Sequence, residues 1–430
     1  MAAPSNSLPR ASRGDFTVAE PGGIADLTET KDNTWVGASG PPPSDGDITA
    51  VPELPIKIHN TNDGPISAYI IGFAPGRRSV FILQDGTPFY PTSGGSTEPT
   101  PLTGANPAIS VPAGETVTVS LKIPLDSARV YFSEKEFQIF VKKIDDAQDE
   151  VIMPDMANAK DPHSDIKWGF SELTYTEAGV ITANVSFVDV VGLPLGATLD
   201  SASVPKQVVQ GLPKGAVQTI CGHLDKQQEK DQQPWKIHCV VGADKQTVRV
   251  LSPFKTLSVP GKQDFAHYFD EYIDKVWARY SSADLTFNLQ TAGNGPMVPC
   301  RVQDDGQLHC QDDPKPFPKP TTAEVWGCSG VFGDDGGENP THRAIRPRLC
   351  AAFVRSTLLL EGGNVQPGVP ATSYYTSDPT SHYSRIIHVV ETDGKGYAFP
   401  FDDVNPQGPG DASGLVSAGD ATALTFSVGG

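Results

Sequence analysis

Residues 168–190 read WGFSELTYTEAGVITANVSFVDV. Aromatic, Val, Ile and Thr residues dominate, and the run is broken once by Glu177-Ala178-Gly179. This is the vocabulary of two β-strands joined by a tight turn. Glu172 and Asp189 nevertheless sit inside the apolar runs, where a carboxylate costs free energy unless it is paired or used. If 171–176 and 183–191 are the arms and the turn centres on Gly179-Val180, residue 172 lies opposite 187. Asp189 is then its diagonal neighbour on the same face, about 7–8 Å away. That spacing suits two acids with a water between them, the arrangement of an inverting glycosidase, in which the carboxyl groups stand about 6.5–9.5 Å apart. The apolar neighbours favour the protonated form of either group, so the sequence leaves open which is acid and which is base.

Outward from this hairpin the same strand pattern recurs. ELPIKIHN (53–60), SAYIIGFA (67–74), RSVFILQDG (78–86), ETVTVSLKI (115–123), ARVYFS (128–133) and FQIFVKK (137–143) precede it. Turn signals such as Asp85-Gly86 and Gly94-Gly95 separate some of these runs. Many short strands so punctuated indicate a β-sandwich or barrel, expected here over 53–205. After about residue 205 the pattern changes. FAHYFDEYIDKVWARYSS (265–282) carries apolar residues at three- and four-residue spacing and predicts an amphipathic helix; LCAAFVRSTLL (349–359) predicts a second. His267, Glu271 and Asp274 lie along one side of the first helix and read as a solvated face, not as a metal site. TALTFSVGG (422–430) returns to strand. The expected organisation is a weakly ordered arm over 1–52, rich in Pro and Gly, a β domain over 53–205, a mixed α/β domain over 206–414, and a C-terminal strand over 415–430 that rejoins the first sheet. The fold class is mainly β with an α+β part.

The chain has 430 residues and a formal charge of −18, with 33 basic and 51 acidic residues. Nucleic acid would be repelled by such a field, whereas a neutral polysaccharide would not. No apolar run reaches the ~18 residues of a membrane-spanning helix. The six cysteines, at 221, 239, 300, 310, 328 and 350, cluster outside any Cys-x-x-Cys pattern and read as disulfides, not zinc ligands. Sequential pairing, 221–239, 300–310 and 328–350, is the expectation, and it implies an oxidising compartment and a secreted protein. The start MAAPSNSLPR has no charged-then-apolar leader, so secretion implies either that a start Met has replaced one, the favoured reading, or that the protein leaves by another route. Asn184-Val185-Ser186 is a formal glycosylation site inside a strand, better read as a hydrogen-bonded Asn. No phosphate-cradling glycine motif, metal signature or nucleophile elbow stands out, so neither cofactor nor metal is expected.

WGFSELTY followed by NVSFVDVVGLPLGATL resembles the catalytic strands of glycoside hydrolase family 64, the β-1,3-glucanases grouped with thaumatin-like proteins. LPIKIHN, DGTPFYP, ARVYFS, HYFDEYIDKVWARYSS, RPRLCAAFVRSTLL, PTSHYSRIIHVV and DGKGYAFPFDDV match the family in order and spacing. The resemblance implies a thaumatin-like β-barrel and a mixed α/β domain with a wide groove between them for β-1,3-glucan. It implies a monomeric endo-acting hydrolase that releases short oligosaccharides, laminaripentaose among them. It assigns Glu172 as general acid and Asp189 as the base that activates water, with inversion. It places Thr174 and Thr176 in the groove, and Asp402 and Asp403 on the opposite wall. The family commonly has Asn where Thr176 stands, and often a Trp between the two catalytic strands that this chain lacks. The rival reading is a thaumatin-like glucan-binding protein without turnover. Two retained carboxylates argue against it.

Overall fold

The structure, a computed structural model, describes residues 17–18, 27–40, 51–290, 296–333, 339–406 and 412–430. Two sheets face each other through a shared apolar core. The first has five strands, in the order Thr116–Leu121, Leu54–Asn60, Ala421–Val428, Leu195–Ser201 and Gln207–Val209. Leu54–Asn60 and Ala421–Val428 run parallel, so the two ends of the β-rich body are stitched together at the centre of one sheet. The second sheet runs through Leu415–Ala418, Ile181–Val185, Trp168–Tyr175, Leu125–Ser133, Ile66–Ala74, Arg78–Ile82 and Pro88–Phe89, with Ile109–Val111 paired off its path.

Alternation explains how they pack. Ile56, Ile58, Leu424 and Phe426 of the first sheet meet Ile70, Val130, Phe132, Leu173 and Val185 of the second, with Phe132 and Phe426 centred 5.7 Å apart. The intervening residues of the second sheet, Tyr69, Ile71, Tyr131, Trp168 and Phe170, point to its other face. A third, four-stranded sheet covers them, in the order Thr34–Ala38, Gln148–Ile152, Phe140–Lys143 and Thr100–Pro101. Both faces of the central strands are therefore buried, which is why their sequences read as nearly continuous apolar runs. The result is a β-sandwich with a mixed α/β part.

The mixed part holds helices Ala216–Asp231, Asp270–Ser282, Pro340–Val354 and His382–Val390 and two small sheets. The helix expected over 265–282 is split: a short 3₁₀ turn spans Asp264–His267 and the α-helix begins at Asp270. His267 bonds Asp270, Glu271 pairs with Lys275, and Asp274 pairs with Lys319, so this side is a solvated ion-pair face. The helix expected over 349–359 begins earlier, at Pro340, where the Asn339 side chain caps it by accepting from His342 N at 2.8 Å.

The disulfides join Cys221 to Cys239, Cys300 to Cys310, and Cys328 to Cys350, all in the mixed part. Cys300 and Cys310 are register partners on adjacent strands; the other two bridges tie a helix to a strand and one helix end to another helix. A thiol titration of unfolded, unreduced protein is expected to find almost no free thiol, and six titratable thiols would refute the bridges. Reducing one bridge is expected to cost about 2–5 kcal/mol of stability.

One sequence expectation fails. Residues 1–52 read as one weakly ordered arm, yet 27–40 lies within the body. Strand Thr34–Ala38 pairs with Gln148–Ile152, and Trp35 is buried against Tyr131 with ring centroids 5.9 Å apart. The Pro/Gly content of the arm is concentrated on either side of this short TWVGA strand and hides it.

Candidate active site

The strand Trp168–Tyr175 presents Trp168, Phe170, Glu172 and Thr174 to one face, while Leu173 and Tyr175 enter the sandwich core. Its hairpin differs from the expected one. The turn closes with Thr176 N donating to Val180 O at 2.9 Å and Gly179 N to Thr176 O at 2.9 Å, so Glu172 stands opposite Asn184, not Phe187. The second arm ends at Val185. Beyond it Phe187 N donates to Tyr397 O at 2.7 Å and Tyr397 N donates to Val185 O at 2.9 Å, so the backbone of another segment takes over the pairing. Asp189 therefore lies in a bend between two sheets and is not the in-strand diagonal neighbour that alternation suggested.

The bend is held firmly. Tyr383 Oη donates to Phe187 O at 2.6 Å. Val190 and Val191 pair with Leu251 and Val250, and Ser252 N donates to Asp189 O at 2.9 Å. Ser252 also caps the short helix Pro253–Leu257, accepting from Lys255 N at 3.3 Å, and this fixes where Lys255 points. Its ammonium reaches Asp189 Oδ1 at 3.7 Å. Burial opposes the charge on Lys255, but Asp189 and Asp32 raise its pKa above the ordinary lysine value.

On the sheet side, Arg129 is the register partner of Glu172, and its Nε contacts Glu172 Oε1 at 3.4 Å. The guanidinium lies 4.3 Å above the Phe170 ring and 5.6 Å from that of Trp35. Burial works against its charge, while Tyr131, Glu172 and Asp189 act together to raise its pKa. Asn184 Nδ2 is 3.5 Å from Glu172 Oε2. Glu172 thus contacts the Arg129 guanidinium, while Asp189, in the bend, pairs with Lys255 and acts on Arg129 only through space. Each keeps some solvent exposure, 17% for the Glu172 side chain and 16% for that of Asp189.

The remaining predicted residues separate. Thr174 stays on the Glu172 face, half-buried beside Thr182. Thr176 is past the strand end: it is exposed, and its hydroxyl accepts from Val180 N at 3.1 Å, so it closes the turn. Asp402 is corrected outright. It is buried, with Oδ1 taking Arg355 Nη2 at 3.0 Å and Oδ2 taking His388 Nε2 at 3.0 Å and Ala398 N at 2.9 Å. Its carboxylate is spent on internal partners, leaving none for a groove wall; the adjacent Asp403 is exposed. A surface cleft of about 920 Å³, lined by Leu27, Pro101, Leu102, Asn106, Glu136 and Phe140 among others, includes neither Glu172 nor Asp189.

Sequence reasoning missed Arg129, Lys255 and Asp32. Alternation in ARVYFS could have placed Arg129 on the Tyr131 face, beside the carboxylate strand. No local signal marks the other two, because only the tertiary fold brings them here.

The fold is a β-sandwich with a mixed α/β part, and Glu172 and Asp189 lie beside the same cluster of cations. The β-1,3-glucanase profile of glycoside hydrolase family 64 matches residues 52–428, and the chain belongs to that family. It is 27% identical over 371 residues to glucan endo-1,3-β-glucosidases of Cellulosimicrobium cellulans and an Arthrobacter species, with 83% of this chain and 62% of each relative covered. The chain thus spans less than two thirds of those relatives' length. Among solved structures it is similar to a laminaripentaose-producing β-1,3-glucanase in complex with laminaritetraose, at 25% identity and a TM-score of 0.74, covering 87% of this chain and 98% of that one. A β-1,3-glucanase domain from Clostridium beijerinckii shares the fold at 21% identity and a TM-score of 0.67, covering 90% of this chain and 100% of that one.

Proposed function

We propose that this chain hydrolyses β-1,3-glucan internally and with inversion, releasing short oligosaccharides, laminaripentaose among them. Glu172 protonates the departing glycosidic oxygen and Asp189 takes a proton from the attacking water. The observation that carries the reading is that Glu172 pairs with Arg129 and Asp189 with Lys255, two cations that both engage Asp32, in a member of a β-1,3-glucanase family. Thr174, next along the same face, is the sugar-contacting neighbour of the acid, and the exposed Asp403 approaches the chain from the other side of the groove. Thr176 stands farther out, at the turn. The product length is suggested by the name of the laminaripentaose-producing structural relative. Secretion is suggested by the three disulfides, and no helix among the described residues is long and apolar enough to cross a membrane. The working unit is a monomer.

A single displacement inverts the β-linkage, whereas a covalent glycosyl-enzyme intermediate retains it. Proton NMR of a fresh laminarin digest is expected to show the α-anomer before mutarotation mixes the two. An initial β-anomer refutes inversion, and glucan binding without any product refutes hydrolysis in favour of a lectin.

A further inference from the structure

The carboxylate pair has a third acidic neighbour that lies outside the stretch matched to the family. Residues 31–33 form the turn between the Thr28–Glu29 and Thr34–Ala38 strands. Asn33 locks this turn: its Oδ1 accepts from Thr30 N at 2.8 Å, and its Nδ2 donates to Thr28 O and Met153 O, both at 2.8 Å. Trp35, buried two residues on, fastens the strand to the sheet below. Asp32 is thereby pressed onto the site. Its carbonyl accepts from Arg129 Nη1 at 2.6 Å, and its carboxylate pairs with Lys255 Nζ.

Each cation is therefore shared. Arg129 serves Glu172 and the Asp32 carbonyl; Lys255 serves Asp189 and the Asp32 carboxylate. Asp155 also acts on Lys255 through space, but its Oδ1 is already committed to Ala157 N at 2.7 Å and Asn158 N at 2.9 Å. Removing the Asp32 charge leaves a buried ammonium, only 6% exposed, whose nearest remaining carboxylate is the base itself. Buried charges seek partners strongly, so Lys255 would close on Asp189.

We propose that Asp32 is a positioning residue for the reaction: by engaging Lys255, it keeps that cation from pairing tightly with Asp189 and leaves the carboxylate available to the attacking water. Residues 31–33, ahead of the stretch matched to the family, are then a working part of the active site. This inference rests on the hydrolase reading above.

The test is a double-mutant cycle in the full-length chain, with kcat and KM measured on laminarin. Asp32→Asn is expected to lower kcat by about tenfold or more, the scale of coupling between contacting charged groups, with KM changed little. Asp32→Glu, which keeps the charge, is expected to restore most of the loss. In a Lys255→Gln background, Asp32→Asn is expected to cost almost nothing further, because the cation it restrains is gone. A scaffolding role would instead give equal losses in both backgrounds and no rescue by Glu. A rise in kcat/KM for Asp32→Asn would show that the turn obstructs substrate and would overturn the proposal. Unchanged turnover in that variant overturns this inference alone; a wild-type chain without turnover overturns the hydrolase reading with it.

Discussion

Glu172→Gln and Asp189→Asn will each lower turnover on laminarin by at least about a hundredfold while leaving glucan binding in place. General acid or base assistance is typically worth about 10²–10⁴-fold, and neither amide can perform the proton transfer. The substitutions are close to isosteric, and the structure gives reasons for the fold to tolerate them. In Glu172→Gln, Arg129 keeps the Asp32 carbonyl and the Phe170 ring. In Asp189→Asn, the bend keeps its main-chain anchors to Ser252 N and Tyr383 Oη, and Lys255 keeps Asp32. Thermal denaturation of each variant should therefore stay close to wild type while kcat collapses and binding to insoluble glucan persists. Near-normal turnover in either variant removes that residue from the mechanism. Loss of both in the presence of normal stability and binding is the pattern that a carboxylate pair engaged in chemistry predicts and that a lectin does not.

The β-sandwich was legible because its strands are short, apolar and punctuated, and because Leu54–Asn60, Leu125–Ser133 and Ala421–Val428 begin and end within a few residues of their sequence signals. The two carboxylates were legible as residues out of place in apolar runs. Their geometry was not. A period-two pattern cannot register where a ladder is interrupted from outside, and here the Tyr397 backbone captures Phe187 and breaks the second arm. The sharing of Arg129 and Lys255 was hidden for a related reason: residues 32, 129, 172, 189 and 255 are distant in sequence, and no local period links them. Asp402 and Asp403 show the reverse error. The family resemblance put both aspartates on a groove wall, but the turn directs the first inward to Arg355 and His388 and the second outward.

Asp402→Asn is accordingly expected to act on stability, not on substrate binding, and by a large amount. The wild-type carboxylate sits between two cations, Arg355 and His388, with Glu391 on the far side of the imidazole at 2.9 Å from His388 Nδ1. Arg355 is also held by Asp402 O at 3.0 Å and lies 4.3 Å from the Tyr374 ring. Burial opposes the charge on His388, but Asp402 and Glu391 outweigh it and lift the imidazole to about 10. Burial also works against an ionised Asp402, yet His388 and Arg355 hold it below the ordinary aspartate value. Burial pushes Glu391 up to about 7. The signs fix the pH dependence. A raised His388 contributes stability that is complete below its ordinary 6.5 and fades as pH climbs toward about 10; the raised Glu391 contributes in the same sense, its share fading between 4.5 and about 7. A lowered Asp402 contributes above its ordinary 3.8 and loses that contribution as pH falls further. Neutralising Asp402 takes the anionic partner from buried Arg355 and leaves His388 with Glu391 alone, a change that typically costs about 3–5 kcal/mol. Denaturant unfolding across pH should show the wild type losing stability above about 4.5, first with Glu391 and then with His388, and the variant less stable wherever Asp402 is ionised, with a shallower alkaline decline. At a temperature where the variant remains folded, its KM for laminarin should match wild type. A raised KM with unaltered stability would instead return Asp402 to the groove wall, and would mean that the Arg355–His388 pair does not hold its carboxylate in the working protein.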